Sequence, residues 1–435
     1  MTTTKHQEIK ELTFEEVFGK VSAKFDEIED VRASNRYYEL GDVLRSGFAM
    51  FSLKKASVLE FGEQTKQEQE NLKTIYQIKR LVGDGQMRAV LDEVRPEGMR
   101  AIFQTLYETA KGIGLVKGYE YWPGKVIVTV DGVQHFSSRK IHCEHCTRRR
   151  SSQGVTTYQH AGLAAVMVHP GKEEVLTLDF EPIVNEDGQL KNDCERTAAK
   201  RLCEALAGKY PELGIVLVED ALYANAPHIR QITDYGWNFI LNVKPDSHVS
   251  LERQFAGRLA SGQVATLEVT DSDGIRHKFS WTNRLCLCDS ALDVKVNYLL
   301  YEQTDRKGKV TRWTWVTNFD LTARTVTKIM RAGRARWKIE NETFNTLKNQ
   351  GYHFEHNYGH GTCHLATNLA LLMFLAFTTD QLLQAAWSLF RLLWHNLRTK
   401  LKLWNSLRSF FQTHSFDSMT ALYRAMARSF DILLW

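Results

Sequence analysis

Two short runs of β-branched residues, each delivering an acid, constrain this chain more than any other feature in it. Val126-Ile-Val-Thr-Val130 leads into Asp131-Gly132, and Gly214-Ile-Val-Leu-Val218 leads into Glu219-Asp220. A continuous apolar run without alternation is the pattern of a strand covered on both faces, as parallel strands are inside an α/β sheet. Between the two runs lie strand patterns at 161–168 and 175–183 and a helical pattern at 194–210. If the first and last of these strands are neighbours, they lie about 4.8 Å apart, and the acids at their ends fall within reach of shared divalent ions. Side chains alternate along a strand, so Val216, Val218 and Asp220 share one face while Leu217 and Glu219 share the other. Asp220, rather than Glu219, is therefore the expected companion of Asp131, with a strand end predicted at Asp131-Gly132.

The remaining chain falls around this centre. A further buried strand pattern spans 237–243, and short alternating strands follow at 263–270, 275–281, 294–302 and 310–317, with Asp271-Ser-Asp-Gly274 and Asp305-Arg-Lys-Gly308 as turns. Helical periodicity resumes at 321–330 and runs into Arg334 to Lys348. At about 100° per residue, Arg336 and Glu340 face the same side one turn apart, while Trp337, Ile339, Phe344 and Leu347 supply an apolar side. Arg331 and Arg334 crowd positive charge just before them. Residues 1–120 read as helical, with Lys54-Lys55, Lys79-Arg80 and Arg88 as candidate DNA contacts, and residues beyond His364 are helical and rich in Leu, Phe and Trp.

Composition sets outer limits. A chain of 435 residues, 43% hydrophobic, buries a large core and divides into several domains. Its net charge of +5 permits a polyanionic partner without demanding one. Seven cysteines and no apolar N-terminal segment fit a reducing cytoplasmic setting better than a disulfide framework. The longest apolar run, 365–377, is too short to span a bilayer, so no membrane association is expected.

Asp131 after a strand, Asp220 in Glu-Asp-Ala-Leu-Tyr223, a β-rich insertion, and Arg336-Trp-Lys-Ile-Glu340 with Lys348 downstream resemble the DDE transposases of bacterial insertion sequences. More narrowly, they are similar to the branch whose last acid lies in an Arg-Trp-x-Ile-Glu motif; the likeness covers roughly 126–358. It implies an α/β fold: an RNase H-like mixed sheet with an inserted β-rich subdomain, flanked by N-terminal and C-terminal helical regions. The divisions are then 1–120 for a DNA-end-binding helical region, 121–245 and 319–360 for the two parts of the catalytic core, 246–318 for the insertion and 361–435 for a dimerising helical region. Asp131, Asp220 and Glu340 are implied as catalytic residues and ligands of Mg2+, with Mn2+ as a substitute. Glu342 is the alternative third ligand. Arg331, Arg334, Arg336 and Lys348 are implied as DNA contacts, and Trp313 as a ring on which a flipped base stacks. The implied activity is cleavage and transfer of DNA strands at terminal inverted repeats, by a homodimer holding both element ends and the target duplex on the bacterial nucleoid. A non-catalytic DNA-binding descendant and a structure-selective nuclease are the other readings. Two positions depart from the branch: Gly333 stands where a phosphate-binding Tyr usually lies, leaving Tyr352 or Tyr358 as substitutes, and Lys348 is eight residues beyond Glu340 instead of seven.

Cys143-Glu-His-Cys146 has the spacing of half a zinc site, with His142 and His145 beside it. No second Cys-x-x-Cys completes it, and His356, His360, Cys363 and His364 are distant in sequence. The favoured expectation is therefore a solvated loop touching DNA beside Arg148-Arg-Arg150, with a structural Zn2+ the lesser reading.

Overall fold

A 14-residue strand, β2, threads the molecule and carries the first acid at its midpoint. The computed structural model describes residues 9–188 and 191–433. Its strands are β1 (Glu120–Trp122), β2 (Lys125–Ser138), β3 (Thr147–Arg150), β4 (Thr156–Val168), β5 (Leu176–Ile183), β6 (Gly214–Glu219), β7 (Asn238–Asn242), β8 (Ala265–Thr270), β9 (Arg276–Cys288), β10 (Ala291–Thr304) and β11 (Val310–Thr317). Among the described residues they form one mixed sheet in the order β3-β4-β2-β6-β7-β11-β10-β9-β8, with β1 added to β2 and β5 to β4. Only β2/β6 and β6/β7 are parallel. These are the strands whose sequences are continuous apolar runs, and Val126, Ile127, Val128, Val216, Leu217 and Val218 are all buried.

The strand end expected at Asp131-Gly132 is not there. Parallel pairing with β6 stops at Thr129↔Val218, but antiparallel pairing with β4 continues through Asp131↔Ala164 to Ser138↔Tyr158. The apolar run therefore ends where one neighbour departs, not where the strand ends. The meander β8–β11 joins the same sheet, because β11 pairs antiparallel with β7 through Trp315↔Asn242, Val316↔Leu241 and Thr317↔Ile240.

Helices from the two ends of the chain interleave. The helix Leu40–Ser52 is buried along its whole length, and it packs on the long helix Leu365–Ala386; Gly47 is needed there, since a Cβ would meet Leu372 Cδ1 at 2.7 Å. Leu365–Ala386 is longer than the 365–377 run suggested and is apolar enough to cross a membrane by length and composition, yet 94% of its most apolar window is buried inside the protein. It is a core helix. Lys54 and Lys55 are likewise internal instead of offered to DNA: Lys54 Nζ pairs with Asp380 at 2.6 Å and Lys55 Nζ with Glu68 at 2.8 Å, all four groups being buried. Two lysines in the core need acids beside them, because an unpaired buried charge costs several kcal/mol. Burial pushes the pKa of Lys54 down in spite of Asp380.

Candidate active site

Beyond Thr129↔Val218 the parallel pair parts, and two residues further on each chain stands an acid, Asp131 on β2 and Asp220 just after β6. Alternation puts both on the face of Thr129 and Val218. Asp220 is held by the turn that ends β6: Leu222 N–H donates to its Oδ1 at 2.8 Å and Tyr223 N–H to its carbonyl at 3.3 Å. Glu219 points the other way, fully buried, with one oxygen 2.7 Å from His228 Nε2. Asp131 Oδ1 accepts the Gly132 N–H at 2.8 Å, and its Oδ2 lies 3.1 Å from Arg336 Nη1. The other arm of that guanidinium, Nη2, lies 2.8 Å from Glu340 Oε1. Arg336 thus forks between the first and third acids, 14% exposed where Asp131 is 26% and Glu340 38% exposed. Burial, opposed by Arg336 and the Gly132 amide and reinforced by Glu340 and Asp220, pushes the pKa of Asp131 up to about 6. One guanidinium does not neutralise three carboxylates, so the cluster is short of positive charge. Hard oxygen donors with too little countercharge suit Mg2+ or Mn2+.

The segment carrying Glu340 is not the unbroken α-helix that the periodicity predicts. Helix Val326–Arg334 ends at Arg334, a wide turn over Ile339–Phe344 closes with Asn345 N–H donating to Glu340 C=O, five residues back, and Asn345–Asn349 resumes α geometry. Such π turns hold one residue more than an α turn and recur at functional sites. The extra residue is the one separating Lys348 from the spacing expected after the third acid. Trp337, ahead of this turn, is exposed instead of facing the apolar side. Glu340 lies close enough to raise the Asp131 pKa, whereas Glu342 contributes to the surroundings of Lys400.

The other candidate residues are spread around this centre. Arg331 and Arg334 are exposed, and they line, with Tyr121, Tyr301 and Lys338, a cleft of about 790 Å³ between the core and the meander. Arg334 lies 4.9 Å over the Trp313 ring and donates to Gln303 Oε1 at 3.2 Å. Trp313 stacks on Tyr301 at 5.3 Å and stays half-exposed. Lys348 is exposed and pairs with Glu355 at 3.2 Å. Tyr352 and Tyr358 do not substitute for a tyrosine at 333: both are buried, with hydroxyls donating to Asp380 and to the Lys55 carbonyl.

The Cys143-x-x-Cys146 loop is not solvated as expected. Cys146, His160 and His360 are buried, and one ligand atom from each of these and from Cys143 lies within 4.8 Å of all the others. His160 sits on β4 in a strand sequence that carries no motif, and reasoning from spacing missed it. Burial first, then the neighbouring His360, push the His160 pKa down to about 4, while burial pushes the Cys146 thiol up to about 11.

Residues 176–378 match the Transposase DDE domain family. The chain resembles the DDE transposases. The matched segment contains Asp220 and Glu340, and Asp131 lies before it. Among solved structures the chain is similar to a piggyBac transposase in a synaptic complex with hairpin DNA, at 8% identity and a TM-score of 0.37, covering 96% of this chain and 79% of that one. No curated protein matches the chain. The family match supports a transposase as the function.

Proposed function

We propose that this chain is the transposase of a bacterial insertion sequence, cutting and joining DNA at terminal inverted repeats with Asp131, Asp220 and Glu340 as its catalytic and metal-ligating residues. The observation that carries the reading is the convergence of three acids from distant parts of the chain, Asp131 and Glu340 sharing Arg336 and Asp131 feeling both Glu340 and Asp220. Held by these oxygens, divalent ions would supply Lewis-acid charge for phosphodiester cleavage. Asp131 and Asp220, fixed by backbone donors, and Glu340 on the π turn would hold the ions. Glu340 is favoured over Glu342 because it shares Arg336 with Asp131. Arg336 serves as internal countercharge and offers its fork to a DNA phosphate, which it matches in geometry. Arg331 and Arg334 extend the basic track along the cleft, Lys348 adds a point charge, and Trp313 offers a ring face to a displaced base. A homodimer pairing two element ends in the bacterial cytoplasm is the assembly this chemistry calls for.

The test uses the purified full chain and a labelled duplex carrying one end of the element that flanks its gene. Mg2+-dependent nicking at the repeat boundary, followed by joining of the freed 3′-hydroxyl to a target plasmid, is expected. Cleavage of branched DNA with no preference for the repeat would favour the nuclease reading, and tight repeat binding with no cleavage in Mg2+ or Mn2+ would favour the non-catalytic one.

A further inference from the structure

We propose that Cys143, Cys146, His160 and His360 bind one structural Zn2+ ion, which ties the loop after β2 and strand β4 to the segment that follows the last catalytic helix. The ligand atoms already stand at the corners of a small tetrahedron. Cys143 Sγ and Cys146 Sγ are 3.9 Å apart; His160 Nε2 lies 3.4 and 3.3 Å from these two sulfurs; His360 Nε2 lies 3.2 Å from Cys146 Sγ and 3.2 Å from His160 Nε2. With Zn–S near 2.3 Å and Zn–N near 2.0–2.1 Å, tetrahedral coordination requires S···S of about 3.8 Å, S···N of about 3.6 Å and N···N of about 3.3 Å. Hydrogen bonds join atoms in pairs and give no reason for four to gather about one point. The spacing also excludes a two-iron cluster with the same donors, in which the thiolates and imidazoles sit on different irons. Two thiolates balance the charge of a zinc ion, which suits a site this buried.

The groups behind the ligands are arranged accordingly. His360 Nδ1 lies 2.6 Å from the Gly361 carbonyl, which only accepts, so Nδ1 carries the proton and Nε2 is left as the donor atom for a metal. The segment around His360 is fixed from outside. Asp92 accepts the backbone N–H groups of Thr362, Cys363, His364 and Leu365 at 2.7–3.0 Å, and Gly361, at φ +70°, lets the chain pass where a Cβ would meet Asp92 Oδ1 at 2.2 Å. Cys143 and Cys146 lie just before β3, whose Arg148, Arg149 and Arg150 are exposed, so the ion would also steady a basic hairpin.

The proposal is independent of the transposase reading and is tested without DNA. The full chain, purified without chelators from zinc-supplemented cells, should carry about one zinc per chain by elemental mass spectrometry. Reconstitution with Co2+ should give the intense thiolate-to-cobalt absorption and tetrahedral d–d bands of a two-sulfur site. Cys143→Ser, Cys146→Ser, His160→Ala and His360→Ala should each lower zinc content several-fold, while Cys363→Ser, next to the site and exposed, should leave it unchanged. The Co2+ spectrum of the unmutated chain keeps the test decisive where a variant fails to fold. Absence of zinc together with absence of those bands, a Cys143–Cys146 disulfide in freshly purified protein, or zinc that depends on His364 in place of His360, would overturn the assignment.

Discussion

Two clusters of metal-seeking side chains, one around Asp131 on β2 and one joining the loop after β2 to β4, differ in almost every physical respect. The acids around Asp131 are part-exposed, two of them bridged by one arginine; the Cys/His cluster hung between the loop after β2, β4 and the 360 segment is buried, with its atoms already at coordination distance. The difference is that between sites which keep positions open for substrate and sites closed around their ion. It also shows where each stores instability. Crowded carboxylates repel one another and are retained for what they bind, whereas the closed cluster serves to hold the chain together.

The sharpest way to break this contrast is to remove one acid. Asp131→Asn, Asp220→Asn or Glu340→Gln should each reduce end cleavage by on the order of 10³-fold or more with zinc content intact, since ligands of one metal site act as a unit. Gel assays on labelled ends read the loss, and near-normal cleavage by Glu340→Gln with loss in Glu342→Gln would move the third ligand. Next in size is the closed cluster. Stripping zinc should lower the thermal midpoint by on the order of 10 °C, reflecting several kcal/mol of binding energy, and added Mg2+ should not restore it. An unchanged midpoint would make the two regions alike.

A smaller effect has the opposite sign. The Asp131 pKa is raised from its usual value near 3.9 to about 6, so its ionisation weakens folding progressively as pH rises across that window. Asp131→Asn should therefore stabilise the Mg2+-free protein at pH 7 by roughly 3 kcal/mol at most and leave stability at pH 4 nearly unchanged. Denaturant titrations at the two pH values would show it; destabilisation at pH 7 would contradict the picture of a strained acid site. Smallest of the four, Arg336→Ala should reduce the salt dependence of DNA binding by about one unit of slope. A changed sequence preference with an unaltered slope would argue that Arg336 reads bases instead.

What the sequence discloses follows the range of the forces involved. Asp131 and Asp220 are legible because burial on both faces writes itself into consecutive residues and alternation sorts Asp220 from Glu219. Arg336 and Glu340 are legible because four residues make one helical turn. The continuation of β2 to Ser138 depends on β4, about thirty residues away, and leaves no local pattern. The π turn at 339–344 is a backbone hydrogen bond with no residue signature. His160 and His360 are two hundred residues apart and meet only through the fold. Lys54 and Lys55 look like surface charge until Asp380 and Glu68 arrive from elsewhere.

Gly333 is locked in by its neighbour. A Cβ at this position would stand 2.7 Å from the Trp315 indole, itself wedged into the core with 1% of its surface exposed. No single substitution can install the tyrosine of the resembling branch, because the aromatic volume is already spent on the adjoining strand. Installing that tyrosine needs two coordinated changes, with the tryptophan shrinking before or together with any growth of the glycine. Across relatives the sizes of residues 315 and 333 should be anticorrelated.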